Sequence, residues 1–400
     1  MPFEKTGIKL LKLAFIASTG LYSPNGVASY VRRISGESSR FEQHSVELIG
    51  PFCSSLNRPV ETQTLTRLPN VKQKIKEIMS RTKIGSRLAI HIGFEKNALK
   101  AIKRYEAYQD HADVLVFNDP YSLIEFIKRH PKHDERIAIV THDNGEFGKM
   151  ILDMYPKVGR RFVDRLREQS FSAADSIVLV GEKSLSTFKS NYPRWSKKAI
   201  HIHSGIQADG TRGHDRKNRG ERPVIACVGT INGRKNQIML LKALQTIGEH
   251  ERPIVWLIGD GPDYLKCSEY MASHDLSDSV VMWGNQQNVF SLLEKADCFI
   301  SVSRDEGLPI AALEAMSMSL PLILTDVGSC SDLIDGNGLL IKPDDINEVA
   351  DSLRFISKYD GNLERMGARS RKLFLKSYTM ASMTAEYASL CVSLMSDSAI

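Results

Sequence analysis

The 400-residue chain has no apolar run of the ~18 residues needed to cross a bilayer, so a membrane-spanning class is not expected. Its start is basic from Met1 to Lys12, and the apolar run Leu13 to Ala17 has only the length of a strand, which does not read as a secretory signal. The six cysteines, Cys53, Cys227, Cys267, Cys298, Cys330 and Cys391, include no CxxC pair. Scattered thiols fit a reduced, cytoplasmic protein better than a disulfide frame or a zinc site. There is no tandem repeat. No GxGxxG follows a strand, which removes the usual dinucleotide fingerprint. No Asp-x-Asp pair stands at an expected strand end, so no metal and no other cofactor is expected.

What is present describes an ordinary globular chain, 42% hydrophobic and 25% charged, and long enough for two cores. Its net charge of +6 is unevenly spread. Residues 1–205 carry 33 Lys and Arg against 21 Asp and Glu, whereas residues 206–400 carry 20 against 26. Lys72, Lys74, Lys76, Arg81, Lys83 and Arg87 are interleaved with Val71, Ile75, Ile78 and Met79, and a second basic cluster holds Arg160, Arg161, Arg165 and Arg167. A basic amphipathic helix points to an anionic membrane surface or to a solvated helix packed on its own domain. No nucleic-acid motif accompanies the charge, so no nucleic acid is expected as a partner.

Buried strands alternate with helices throughout, which calls for parallel sheets in an α/β class. Expected strands are Leu10–Ala17, Val46–Ile49, Val114–Asn118, Ile137–His142 and Ser176–Val180 in the first half. In the second half they are Val224–Gly229, Ile254–Gly259, Val280–Trp283, Cys298–Val302 and Pro321–Thr325. The nearly apolar-free stretch 209–223 reads as a linker. An amphipathic helix is expected over Tyr378–Met395.

Two carboxylates dominate the second half. Glu306 precedes Gly307, Leu308 and Pro309, and Glu314 follows after seven intervening residues, in the apolar helical run Ile310, Ala311, Ala312, Leu313, Ala315 and Met316. Proline suits a first helical turn, so backbone N–H groups around Gly307 and Leu308 are expected at a helix N-terminus, a site for anions. Arg234 and Lys235 sit in a strand-to-helix loop, Gly229 to Asn236, ahead of a helix expected over Gln237–Gln245. Adjacent cations there suit a diphosphate.

The Glu306–Glu314 spacing, the Gly229–Asn236 loop, Gly259-Asp260-Gly261-Pro262, Gly284-Asn285-Gln286 and Thr325-Asp326-Val327-Gly328 stand in the order seen in the retaining glycosyltransferases of family 4, and the chain resembles them over most of its length. The resemblance implies a GT-B fold, with two Rossmann-like domains facing each other across a cleft and the last helix crossing back to the first. The expected domains are 1–205, 206–377 and the helix segment 378–400. It implies a nucleotide-sugar donor, UDP-linked, and a hydroxyl acceptor that is a glycan or a lipid-linked precursor in polysaccharide or lipopolysaccharide assembly. The scattered thiols and the basic first half lead to an expected place in the cytoplasm, peripheral on an anionic inner face of the membrane. The roles the resemblance implies are catalysis for Glu306, His142, Arg234 and Lys235. Donor binding falls to Gly26, Arg234, Lys235, Asn285, Gln286, Glu306, Gly307, Leu308, Pro309 and Glu314. Two departures stand out: Thr230 replaces a frequent Arg, and Ser319 a frequent Gly. A GT-B nucleotide-sugar epimerase and a non-catalytic GT-B scaffold at the membrane are the competing readings.

Overall fold

Strands buried on both faces appear as unbroken apolar runs, because helices cover both sides of a parallel sheet. Val114–Phe117, Leu322–Thr325 and their neighbours do so in the computed structural model. The structure describes residues 11–19, 44–50, 78–107, 111–207, 222–358 and 362–396. The chain divides into two units. One comprises Met1–Val180, Leu185–His203 and Met383–Ile400; the other comprises Gly181–Ser184 and Ser204–Ser382.

The first unit is built on a six-stranded sheet of β1 (Leu11–Ile16), β2 (His44–Ile49), β3 (Val114–Phe117), β4 (Arg136–Thr141), β5 (Ser176–Leu179) and β6 (Ala199–His201). Their order is β2-β1-β3-β4-β5-β6, and every pairing is parallel. Its core runs from Ile16 and Phe117 through Phe126 and Phe171 to Phe188 and Trp195. Phe171 packs edge-on against Phe147, Phe188 and Trp195 at 5.0–5.4 Å between ring centres, a favoured aromatic geometry.

The second unit repeats the plan with β7 (Val224–Val228), β8 (Ile254–Ile258), β9 (Val280–Gly284), β10 (Cys298–Ser301), β11 (Leu322–Thr325) and β12 (Gly338–Ile341). The order β12-β11-β10-β7-β8-β9 is also parallel throughout. From β7 the chain winds outward through β8 and β9, then returns to β10 beside β7 and winds the other way. The β7/β10 boundary is thus a topological switch point, where loops at the strand C-termini part and leave room for a ligand.

The last helix, Met380–Ser396, contributes its residues from Met383 onward to the first unit. Tyr387 is fully buried edge-on against Phe15 at 5.1 Å. Glu386 fixes the same helix to the segment after β6, with Oε2 accepting from the His203 backbone N–H at 2.8 Å and Oε1 lying 2.9 Å from His203 Nδ1. Within the second unit, Ile206 and Thr379 form a parallel bridge, so the chain enters and leaves that unit at adjacent points.

The ten expected strands are all present, most trimmed by one residue at an end, with β4 shifted one residue earlier and β2 and β9 extended; β6 is additional to them. The helix Gln237–Gln245 has the expected bounds. A short helix, Phe290–Leu293, follows β9. The edge strand β12 was not anticipated. Gly26, the basic cluster at 72–76 and most of the 209–223 linker lie outside the described residues.

Candidate functional site

Lys235 and Glu306 meet at the switch point of the second sheet. The loop after β7 carries Arg234 and Lys235; the loop after the adjacent β10 carries Glu306. Glu306 is 6% exposed. Its Oε1 accepts from Lys235 Nζ and, at 2.6 Å, from the Ser303 hydroxyl. Its Oε2 accepts from Arg234 Nη1 at 3.2 Å, and the same guanidinium nitrogen donates to the Asp305 carbonyl at 2.7 Å. Burial alone raises a carboxyl pKa. Here Lys235, then Arg234, and the bonds from Lys235 and Ser303 outweigh it, and Glu306 is held below the usual carboxylate range. The result is a buried ionised carboxylate between two cations, one of them half-exposed: Arg234 keeps 38% of its side chain in solvent.

Loop contacts hold this geometry. Asn232 Oδ1 accepts from the Lys235 N–H at 2.9 Å. Arg304 pins the loop from the β10 side, its backbone N–H donating to the Arg234 carbonyl at 2.8 Å and its guanidinium to the Gly233 carbonyl at 3.1 Å. Asp344 accepts from Arg304 at 2.8 Å and from the buried Asn236 amide at 3.0 Å. Asn236 turns the chain at φ 57°, in the left-handed region that asparagine tolerates. Gly259 closes the floor: a Cβ there would lie 2.0 Å from the Gly229 carbonyl oxygen. The Gly259–Pro262 turn therefore packs against the cationic loop. Gly328 is equally constrained at φ 53°, since a Cβ would fall 1.7 Å from the Glu306 carbonyl oxygen.

The helix after Glu306 differs from expectation by one residue. It spans Ile310–Ser317, and Pro309 is its N-cap in an extended conformation, not its first helical residue. No side chain caps this start, so the first-turn amides retain their positive end. Gly307 and Leu308 lie in the loop before it, and the Gly307 carbonyl accepts from Ser329 at 2.9 Å. Glu314 is half-buried on the same helix. Asn285 and Gln286 follow β9, where Gln286 folds back onto the Trp283 carbonyl at 2.7 Å. The sequence did not point to Ser303, Arg304 or Asp344 as supporting groups. Ser303 had a signal, three residues ahead of Glu306; the other two are joined across 40 residues of chain and had none.

The first unit has its own polar cluster at the C-terminal edge of its sheet. His142 follows β4, and its Nε2 lies 3.2 Å from Oδ1 of Asn118, which follows the adjacent β3. The Asn118 amide nitrogen faces two carbonyls, Val116 at 3.4 Å and Ile16 at 3.5 Å. Two acceptors fix which end of the amide is nitrogen. The oxygen must then receive a hydrogen from His142 Nε2, which sets the neutral Nε2–H tautomer. Burial agrees, since it pushes the His142 pKa down to about 4. Asp119 ties the start of the next loop to the same edge, accepting from the Ser18 N–H at 2.6 Å while capping the helix Pro120–Arg129 through the Ser122 N–H.

Two parallel α/β units of this topology match solved glycosyltransferases. A sucrose-phosphate synthase from Thermosynechococcus elongatus superposes with a TM-score of 0.71 at 17% identity, over 97% of this chain and 100% of that one. Anabaena HepE in complex with UDP gives 0.68 at 16%, over 96% and 100%. The fold is GT-B.

Residues 213–373 match the model of the family Glycosyl transferases group 1. That stretch contains Arg234, Lys235, Glu306 and Glu314. Among characterised relatives, the O-antigen chain mannosyltransferase C of Escherichia coli is 23% identical over 311 residues, 74% of this chain and 80% of the relative. The lipopolysaccharide 1,6-galactosyltransferase of Escherichia coli is 36% identical over 110 residues, but this covers only 26% of this chain and 30% of that enzyme. The GT-B chain thus has glycosyltransferases for relatives, several of them in O-antigen and lipopolysaccharide assembly.

Proposed function

We propose that this GT-B chain is a retaining glycosyltransferase that moves a sugar from a UDP-sugar to a hydroxyl of a glycan or lipid-linked acceptor in cell-surface polysaccharide assembly. The observation that carries the proposal is the pairing of Lys235 and Arg234 with the buried Glu306 at the switch point of the second sheet. Breaking the bond between the anomeric carbon and the diphosphate leaves added negative charge on the departing phosphate. Preorganised cations aimed at that charge lower the barrier. Arg234, Lys235 and the uncapped start of the helix Ile310–Ser317 supply them in this reading, and a divalent ion is not required. Glu306, fixed and ionised, receives hydroxyls of the sugar, Glu314 those of the ribose, and Asn285 and Gln286 lie towards the base. As the acceptor oxygen bonds to the anomeric carbon on the face the diphosphate leaves, the acceptor proton passes to the leaving phosphate oxygen. His142 is assigned a catalytic role as a neutral imidazole.

The relatives in O-antigen and lipopolysaccharide assembly support the acceptor class, and the UDP bound by HepE supports the donor base. Such acceptors sit at the inner face of the cell membrane, which is where the proposal places the enzyme. No helix among the described residues is long and apolar enough to cross a membrane, and the proposal takes the attachment there as peripheral. The test is turnover with UDP-, GDP- and ADP-sugars in the presence and absence of acceptor, for the intact chain and Glu306→Ala. Acceptor-dependent transfer from the UDP-sugar, lost in a folded Glu306→Ala chain, is expected. Conversion of the donor without acceptor would instead identify an epimerase.

A further inference from the structure

The first unit exposes an apolar stripe that its own core does not use. The helix Lys83–Ile90 continues through a wider turn, His91–Glu95, into the helix Lys96–Glu106. Thr82 starts it, its hydroxyl accepting from the Gly85 N–H at 3.0 Å. The inner face buries Ser86, Ile90, Ala98, Ala101, Ile102 and Tyr105. On the outer face Ile84, Leu88 and Ile92 recur every fourth residue and are 83%, 48% and 51% exposed. Residues at that spacing line one side of a helix. The helix Lys83–Ile90 packs on the turn Pro156–Val158, and that turn packs on the helix Lys149–Met154, which exposes Met150 and Met154.

The exposed charges around this stripe are predominantly basic, with Asp153 and Asp164 the exposed acids on the neighbouring helices. Arg81, Lys83, Lys96, Lys157, Arg160 and Arg161 are exposed on these elements and their continuations. The two acids of the helical run are engaged: Glu95 pairs with Arg87 and His91, and Glu106 pairs with Arg129 and His130. Branched aliphatic side chains ringed by lysine and arginine match a surface that is apolar at depth and anionic at its boundary.

We propose that this face of the first unit docks on a lipid bilayer carrying anionic headgroups, with Ile84, Leu88 and Ile92 entering the boundary of the acyl region and the surrounding cations meeting the headgroups. The inference rests on the peripheral location proposed above and names the surface that produces it; it is independent of the chemistry in the second unit.

The experiment is co-sedimentation of the intact chain with phosphatidylcholine vesicles, with and without phosphatidylglycerol, beside the variant Ile84→Ser/Leu88→Ser/Ile92→Ser and Glu306→Ala. The intact chain and Glu306→Ala bind the anionic vesicles, binding weakens with added salt, and the triple variant binds at least about tenfold less. Its melting temperature stays close to that of the intact chain, because the three positions are outside the core. Equal binding by the triple variant overturns the proposal, as does binding that ignores phosphatidylglycerol. So does a concentration-dependent dimer, in sedimentation equilibrium, that the triple substitution breaks, since the stripe would then belong to a second copy. Loss of transfer in Glu306→Ala with vesicle binding intact separates this proposal from the catalytic one.

Discussion

Lys235 Nζ donates to Glu306 Oε1 across the boundary between two adjacent strands whose chains wind in opposite directions. Neither group is stable there alone, because an unpaired buried carboxylate is costly. Replacing Lys235 with Met removes the strongest counterweight to burial of Glu306. In the intact protein the depressed carboxyl adds stability that is present above its ordinary value of 4.5 and is lost as pH falls through the lower folded value. In Lys235→Met burial dominates, the folded pKa rises above that value, and the sign reverses. The variant is destabilised at neutral pH and regains stability on acidification. Denaturant titrations between pH 4 and 8, on the order of 3–5 kcal/mol apart for the two proteins at neutral pH, check this.

His142 also costs the intact protein stability on acidification, over a higher pH range than Glu306. A histidine whose pKa falls from 6.5 to about 4 on folding leaves the unfolded chain binding more protons at mildly acidic pH. Stability is therefore full above about 6.5 and declines as pH drops towards 4. His142→Gln keeps a donor for Asn118 and has no titration. It should flatten the decline by on the order of 1–2 kcal/mol, read from melting at a series of pH values.

Asn118 dictates the His142 tautomer. Long-range nitrogen–proton correlation spectra of the intact chain should show hydrogen on Nε2. Asn118→Asp places a carboxylate in the same position and raises the His142 pKa, as a neighbouring negative charge does. An unchanged His142 pKa in that variant would show that the amide contact does not govern the ring.

Ser319 sits at φ 58° after the helix Ile310–Ser317, in the left-handed region that favours glycine. A side chain in the left-handed region carries backbone strain. Ser319→Gly relieves it while adding freedom to the unfolded chain, and a net gain of about 0.5–1 kcal/mol is expected. A lower melting temperature would contradict that reading.

The sequence made the sheets legible because parallel strands need uninterrupted apolar runs, and β3, β5, β10 and β11 supply them. The edge strand β12 was hidden by its flanks: Gly338–Ile341 has Gly336 and Asn337 before it and Pro343 shortly after. Glu306, Arg234 and Lys235 were legible as local motifs, and their meeting followed from strand order. Asp344 and Asn118 were not, because each acts through a neighbour that only the folded sheet provides. The basic apolar stripe expected over residues 71–79 falls mostly outside the described residues; the stripe at Ile84, Leu88 and Ile92 was not read from the sequence.

Calorimetric titration of UDP into the intact chain and into Lys235→Ala, at one ionic strength, measures whether the cations of the switch point bind the diphosphate. A charge-assisted bond is worth about 1.5–3 kcal/mol, so Lys235→Ala should weaken UDP by about tenfold or more. Arg234→Ala should weaken it in the same direction. Equal affinities for UDP in all three proteins would contradict the assignment of the donor phosphates to this loop.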